Sequence, residues 1–155
     1  MQKNLIGLLF LLAANFAIAA PPTLKSESEY RKDSQQICAK KWTKRGELDQ
    51  RMYNHCLGGQ DDGYAELNVQ VSQYGNQAFF SNVSYGYCSE KWTERGVANT
   101  RMIAHCLGQE IEGWKDVEYF RKQYGTEKVN PIVSEALADY SSWNMAAYTV
   151  KNQFE

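Results

Sequence analysis

The sequence predicts an all-α protein: two tandem, disulfide-stapled helical hairpins followed by one C-terminal amphipathic helix. Three observations lead there. An internal duplication runs at a fixed offset of fifty residues. All four cysteines fall inside the duplicated units, at matching places. A long apolar stripe at helical spacing fills the last thirty residues, which have no counterpart in the duplication.

The duplication is read residue by residue. Cys38, Trp42, Arg45, Gly46, Arg51, Met52, His55 and Cys56 return as Cys88, Trp92, Arg95, Gly96, Arg101, Met102, His105 and Cys106. Gly63 is matched by Gly113, Tyr64 by Trp114, and Gln73-Tyr74-Gly75 by Gln123-Tyr124-Gly125. A period of this size marks a repeated supersecondary unit. Repeat one then spans 26–75, repeat two 76–125 and the terminal helix 126–155, all within a single domain over 26–155.

Residues 1–19 read as an export signal. Lys3 supplies the positive start, Leu5 to Phe16 the apolar core, and Ala17-Ile18-Ala19 a small-residue cleavage site. The apolar run is shorter than the roughly 20 residues a membrane span needs, and Pro21-Pro22 breaks the chain behind it. An uncleaved anchor is the alternative. Cleavage leaves about 135 residues, one domain's worth. Losing Lys3 lowers the net charge of −1 by one more unit, so charge alone attracts neither nucleic acid nor an anionic membrane.

Residues 20–25 form a short linker. Ser26 with Glu29 has the form of a capping box and starts a helix. Tyr30, Ile37, Cys38 and Trp42 follow near helical spacing, and Thr43–Gly46 ends the helix, with Gly46 as its left-handed residue. Asp49 and Asn99 are matching N-caps for the second helix of each unit. In the first unit Met52, Cys56, Tyr64, Leu67, Val71 and Tyr74 mark the buried stripe. In the second, Met102, Cys106, Val117, Phe120 and Tyr124 do so. Gly58, Gly59 and Gly63 weaken the first of these helices by about 1 kcal/mol each. Gly63 and Gly113 recur at one place, which marks a close approach by a neighbouring helix; a break at Leu57-Gly58-Gly59 is the alternative.

Residues 76–87 are ambiguous. Phe79, Phe80, Val83, Tyr85 and Tyr87 with Gly86 are strand-like in composition, whereas alignment with the first unit argues for helix, the reading adopted here. Asn130-Pro131 is an N-cap with proline at the first helical position. Val133, Leu137, Tyr140, Trp143, Ala147, Val150 and Phe154 then step by threes and fours. Val133–Tyr140 is expected to pack on the core, and the end from Trp143 onward to stay exposed for a partner.

Four cysteines in an exported chain favour disulfides over metal binding. Of the three connectivities, Cys38–Cys56 with Cys88–Cys106 is the one each unit forms by itself, because the partners face each other across an antiparallel hairpin. Each bond closes a loop worth about 3 kcal/mol. Zinc at His55-Cys56 and His105-Cys106 is disfavoured: adjacent residues on a helix point about 100° apart. The histidines are read as structural, and Trp42 and Trp92 as hairpin core beside the disulfides. No metal or other cofactor is expected.

A catalytic constellation is hard to assemble. Glu110, Glu112 and Asp116 could supply a carboxylate pair of the glycosidase kind, but such residues are commonplace on a polar helix face. No nucleophile elbow, zinc-protease motif or phosphate-binding glycine loop is present. Arg45, Arg95, Arg51 and Arg101 recur; they either cap helix ends and pair locally or meet an anionic partner.

The spacing Cys38-x3-Trp42 with Met52-x3-Cys56, repeated as Cys88-x3-Trp92 with Met102-x3-Cys106, resembles a pattern of small exported bacterial proteins. It covers roughly residues 38–60 and 88–110 and brings no assigned activity. The resemblance implies a bacterial envelope or secreted setting.

The expected function is therefore that of a periplasmic or secreted, non-enzymatic binding module, of inhibitor or immunity type. Its partner is another envelope or secreted protein, met by Arg45, Arg95, Tyr140, Trp143 and Phe154. Neither nucleic acid nor membrane insertion after cleavage is expected, and homodimerisation stays open. The rivals are an envelope-acting hydrolase of cell-wall glycan and a structural or assembly factor.

Overall fold

The computed structural model describes residues 20–155. The export signal expected over 1–19 lies outside the described residues. Among those described, six α-helices dominate, with two minute β-hairpins and one π-helical turn.

Helix α1 (Glu27–Trp42) opens on the expected capping box: Glu29 N–H donates to Ser26 Oγ, and Ser26 N–H to the Glu29 carboxylate at 2.8 Å. The hydrogen bonds from Ser26 hold the Glu29 carboxyl below the usual range. Beyond Trp42 the chain does not simply turn. Strands β1 (Thr43–Lys44) and β2 (Glu47–Leu48) pair antiparallel, with Arg45 (φ 54°) and Gly46 (φ 86°) at the tip. Two successive positive φ values are what a two-residue hairpin loop matched to strand twist requires. Gly46 is left-handed as expected, but it closes a hairpin rather than a helix.

Helix α2 (Gln50–Tyr74) starts at Asp49, whose carboxylate accepts from Met52 N–H at 3.1 Å. It runs unbroken through Gly58 and Gly59. Residues 76–87 are helical in the main, with a π turn over Phe80–Ser84 leading into α3 (Tyr85–Lys91). Ser84 Oγ donates to the Phe79 carbonyl five residues back, matching the wide turn. Strands β3 (Thr93–Glu94) and β4 (Val97–Ala98) repeat the small hairpin, with Arg95 at φ 53°. Helix α4 (Thr100–Tyr124) is capped by Asn99.

The terminal region departs from expectation. It is two helices, α5 (Thr126–Tyr140) and α6 (Trp143–Phe154). Gly125, at φ 91°, turns α4 directly into α5, so Pro131 lies inside α5 rather than at its start. Asn130 is no cap; it accepts from Arg121 Nε at 2.9 Å. The break falls at left-handed Ser141 and at Ser142, the N-cap of α6. Buried Glu110 holds it there: Ser142 Oγ donates to Oε1 at 2.6 Å, and Trp143 N–H to Oε2 at 2.7 Å. Val133, Trp143, Ala147 and Val150 of the expected stripe are buried because α5 and α6 both pack on α4, whereas Tyr140 beside the break is exposed.

Helix α2 packs on α4 and α4 on α6, while α1 lies on α2 and α5 on α6. Leu67, Phe80, Ile103, Leu107, Val117, Val129 and Val150 are fully buried between them. Phe79 stacks on Trp114 at 4.2 Å between ring centres, and Trp143 meets Phe79 edge-on. Trp143 is 8% exposed, with Ala146 and Val150 fully covered, so the expected free end from Trp143 onward is core. Tyr30 is buried against Tyr64, and burial, with Tyr85 nearby, pushes its hydroxyl pKa up.

Candidate functional site

Both disulfides form with the expected pairing, Cys38–Cys56 and Cys88–Cys106, each at a Cα separation of 5.7 Å. No free cysteine remains among the described residues. The pair of bonds points to an oxidising, extracytoplasmic environment. Each disulfide ties the first helix of a hairpin to the start of the second, fixing which face of α2 and α4 turns outward.

That outward face builds a groove. Helical neighbours three and four apart share a face, and Met52, His55, Gly59, Asp62 and Glu66 follow this spacing along α2. Met102, His105, Gln109 and Glu112 follow it along α4. All of them line one cavity of about 1340 Å³, with Trp42 from α1 and Asn144 from α6 also on its wall. Four of these α2 positions stand fifty residues before α4 positions doing the same thing: 52 with 102, 55 with 105, 59 with 109, 62 with 112.

Two glycines set how closely the walls approach. A Cβ on Gly63 would run into the backbone of Arg101, and one on Gly113 would stand 2.5 Å from the Asn144 Cα. The close approach expected at these glycines is real. What approaches is the first turn of the next helix. Gln60 and Glu110 complete the joints. Thr100 Oγ1 donates to the Gln60 amide oxygen at 2.8 Å, and the Gln60 amide nitrogen donates to Asn99 at 2.9 Å. Glu110 does the equivalent for α6, satisfying donors that a buried helix start would otherwise leave unpaired.

Several expected site residues move role. His55 and His105 are not structural: both are exposed and face the groove. Trp92 packs against the core, whereas Trp42 lines the groove with the Lys41 ammonium 5.4 Å from its ring centre. Glu110 is 2% exposed and committed to α6, so it is withdrawn from any carboxylate pair. Glu112 stays on the groove wall, bridged to Lys115 at 2.7 Å, which raises the Lys115 pKa. Asp116 is exposed.

The five residues expected to meet a partner do not gather. Arg45 and Arg95 are exposed at the tips of the two β-hairpins. Tyr140 is 50% exposed at the end of α5. Trp143 is buried, and Phe154 is half-buried, stacked on Tyr124 at 4.4 Å. The groove itself was missed as a site. Its signal was present: the repeated Met52, His55, Met102 and His105 share one face of α2 and of α4.

Among the described residues no three His, Cys, Asp or Glu side chains cluster as metal ligands, and no helix is long and apolar enough to cross a membrane. Comparisons with protein-family models, with curated proteins and with solved structures give no match to this chain.

Proposed function

We propose that the chain is an exported, non-enzymatic binding module of the bacterial envelope, built by internal duplication, that receives a protein partner in the α2–α4 groove. One observation carries this reading. A groove of about 1340 Å³ is lined by exposed polar and half-buried apolar residues at positions matched between the two helices. Stacked helical units create such concave faces and use them for recognition. The two disulfides support the setting, and the Gln60 and Gly63 joint fixes α2 against α4 before a partner arrives, which lowers the entropy lost on binding. An inhibitor or immunity role suits a rigid scaffold of this size.

The hydrolase reading retains Asp62, Glu66 and Glu112, all on the groove wall. Both readings meet in one experiment. The mature chain, immobilised, retains an envelope protein that an Arg101→Glu variant of unchanged melting temperature does not, and it releases no soluble fragments from cell-wall glycan. Retention unaffected by Arg101→Glu removes the groove from the proposal. Glycan release lost in Glu112→Gln establishes the hydrolase instead.

A further inference from the structure

The groove concentrates one kind of chemistry. The whole chain has two histidines, and both line it. Of the three methionines among the described residues, Met52 and Met102 line it as well. Each methionine stands three residues before a histidine on the same helix, Met52 with His55 on α2 and Met102 with His105 on α4. At that spacing the Cβ atoms lie about 5–6 Å apart, so a thioether and an imidazole can close on one ion from the same face. Both methionines are half-buried and both histidines exposed, which leaves the ligand atoms accessible from the groove.

The ligand set selects the ion. All four cysteines are consumed as disulfides, so thioether sulfur is the soft donor left in an oxidising compartment. Thioethers favour copper(I) and its heavier relative silver(I), which accept few ligands, over zinc or the hard divalent ions. Zinc needs about four ligands, and among the described residues no cluster of three His, Cys, Asp or Glu offers even most of them. The groove wall carries Asp62 and Glu66 beside Lys41 and Arg101, with Glu112 bridged to Lys115, so its charge is close to balanced. The guanidinium of Arg101 lies over Gly59, within 3.0 Å of where a Cβ would be, and so occupies the α2 wall beyond His55.

We propose that each Met–His pair, Met52 with His55 and Met102 with His105, binds one soft monovalent cation of the copper(I)–silver(I) class, two per chain. The site stands independently of a protein partner, because the isolated chain carries all its ligands.

The test is a calorimetric titration of the mature, disulfide-bonded chain with silver nitrate in chloride-free buffer. Two silver ions per chain are expected. Met102→Leu should leave one and Met52→Leu with Met102→Leu none, with a loss of affinity of at least about tenfold at each altered pair. His55→Gln with His105→Gln provides a second route to the same loss. Met145→Leu, on α6, should leave the count at two. X-ray absorption of the silver-loaded chain should show sulfur ligation. No binding by the native chain overturns the proposal, as does a count of two surviving both double variants with unchanged circular dichroism. Failure to capture a protein partner leaves the silver count as it is, so the two readings fail separately.

Discussion

Helices α2 and α4 have the same length, the same kind of N-cap, the same disulfide position and a glycine at the same place, yet they live differently. Helix α4 lies between α2 and α6, and ten of its residues are buried. Helix α2 has α4 on one side and only α1 on another, and just four of its residues are buried, Gln60, Gly63, Leu67 and Gln70. The sequence reflects this. Ile103, Ala104 and Ile111 of α4 stand where α2 has Tyr53, Asn54 and Asp61, so the outer helix carries polar atoms where the inner one carries methyl groups. Stacked units need such polar ends to stay soluble. A shared motif therefore fixes the stapled joint and the groove face, while the remaining positions record where the unit sits in the stack.

This contrast can be broken or sharpened by substitution. The largest effect is expected on the far side of α4. Trp143→Ala should cost about 3–5 kcal/mol, measured by urea unfolding, because the ring is buried against Phe79. A change below about 1 kcal/mol would return α6 to the surface. Next comes the same residue in the same motif: Leu107→Ala should cost about 2–5 kcal/mol and Leu57→Ala about 1 kcal/mol. Leu107 is fully buried and Leu57 only half-buried. Equal costs would mean that the two units are equivalent in solution.

The glycine seats come third. Gly63→Ala and Gly113→Ala should each cost about 1–3 kcal/mol by forcing a helix start outward, since in both the obstacle is backbone. The loss at Gly63 should also alter the groove, and silver titration would detect it. The smallest effect is one of pH. The Tyr30 hydroxyl pKa is raised above its ordinary value of 10.0, chiefly by burial. The unfolded chain then loses this proton at lower pH than the folded one, so stability falls as pH rises above 10. Tyr30→Phe should flatten that alkaline decline; an identical pH profile would remove Tyr30 as its source.

Much of this organisation was legible in the sequence because it is local. The capping box at Ser26, the caps Asp49 and Asn99 and both disulfide pairings follow from residues within eighteen positions of one another. Gly63 and Gly113 were also legible, since a glycine kept at one helical position asks for a close neighbour. What escaped was set by distant partners. The break at Ser141-Ser142 is held by Glu110, some thirty residues earlier, and an unbroken apolar period of three and four hid it. The β-hairpins are not legible because Arg at positive φ is uncommon, so Gly46 alone reads as left-handed. The groove is hidden for a further reason: each histidine stands beside a cysteine, and Met52 and Met102 fit the apolar period of the buried stripe.

Asp33 links the beginning of the chain to its middle. Its carboxylate accepts from Lys25 at 2.7 Å and from the backbone N–H of Ala98 at 2.9 Å, and Lys25 also reaches the Gly96 carbonyl at 2.6 Å. Helix α1 thus obtains part of its hydrogen bonding from a hairpin that is synthesised some sixty-five residues later. For a chain made N-terminus first, the consequence is an order of events. The Cys38–Cys56 bond can close as soon as its own short loop has emerged, but the Lys25 and Asp33 bonds to Gly96 and Ala98 form only when the second hairpin arrives. Long-range contacts of this kind tend to slow folding. A fragment ending before residue 97 would carry an intact first staple and still leave Asp33 short of a partner, so the first unit is made early and finished late.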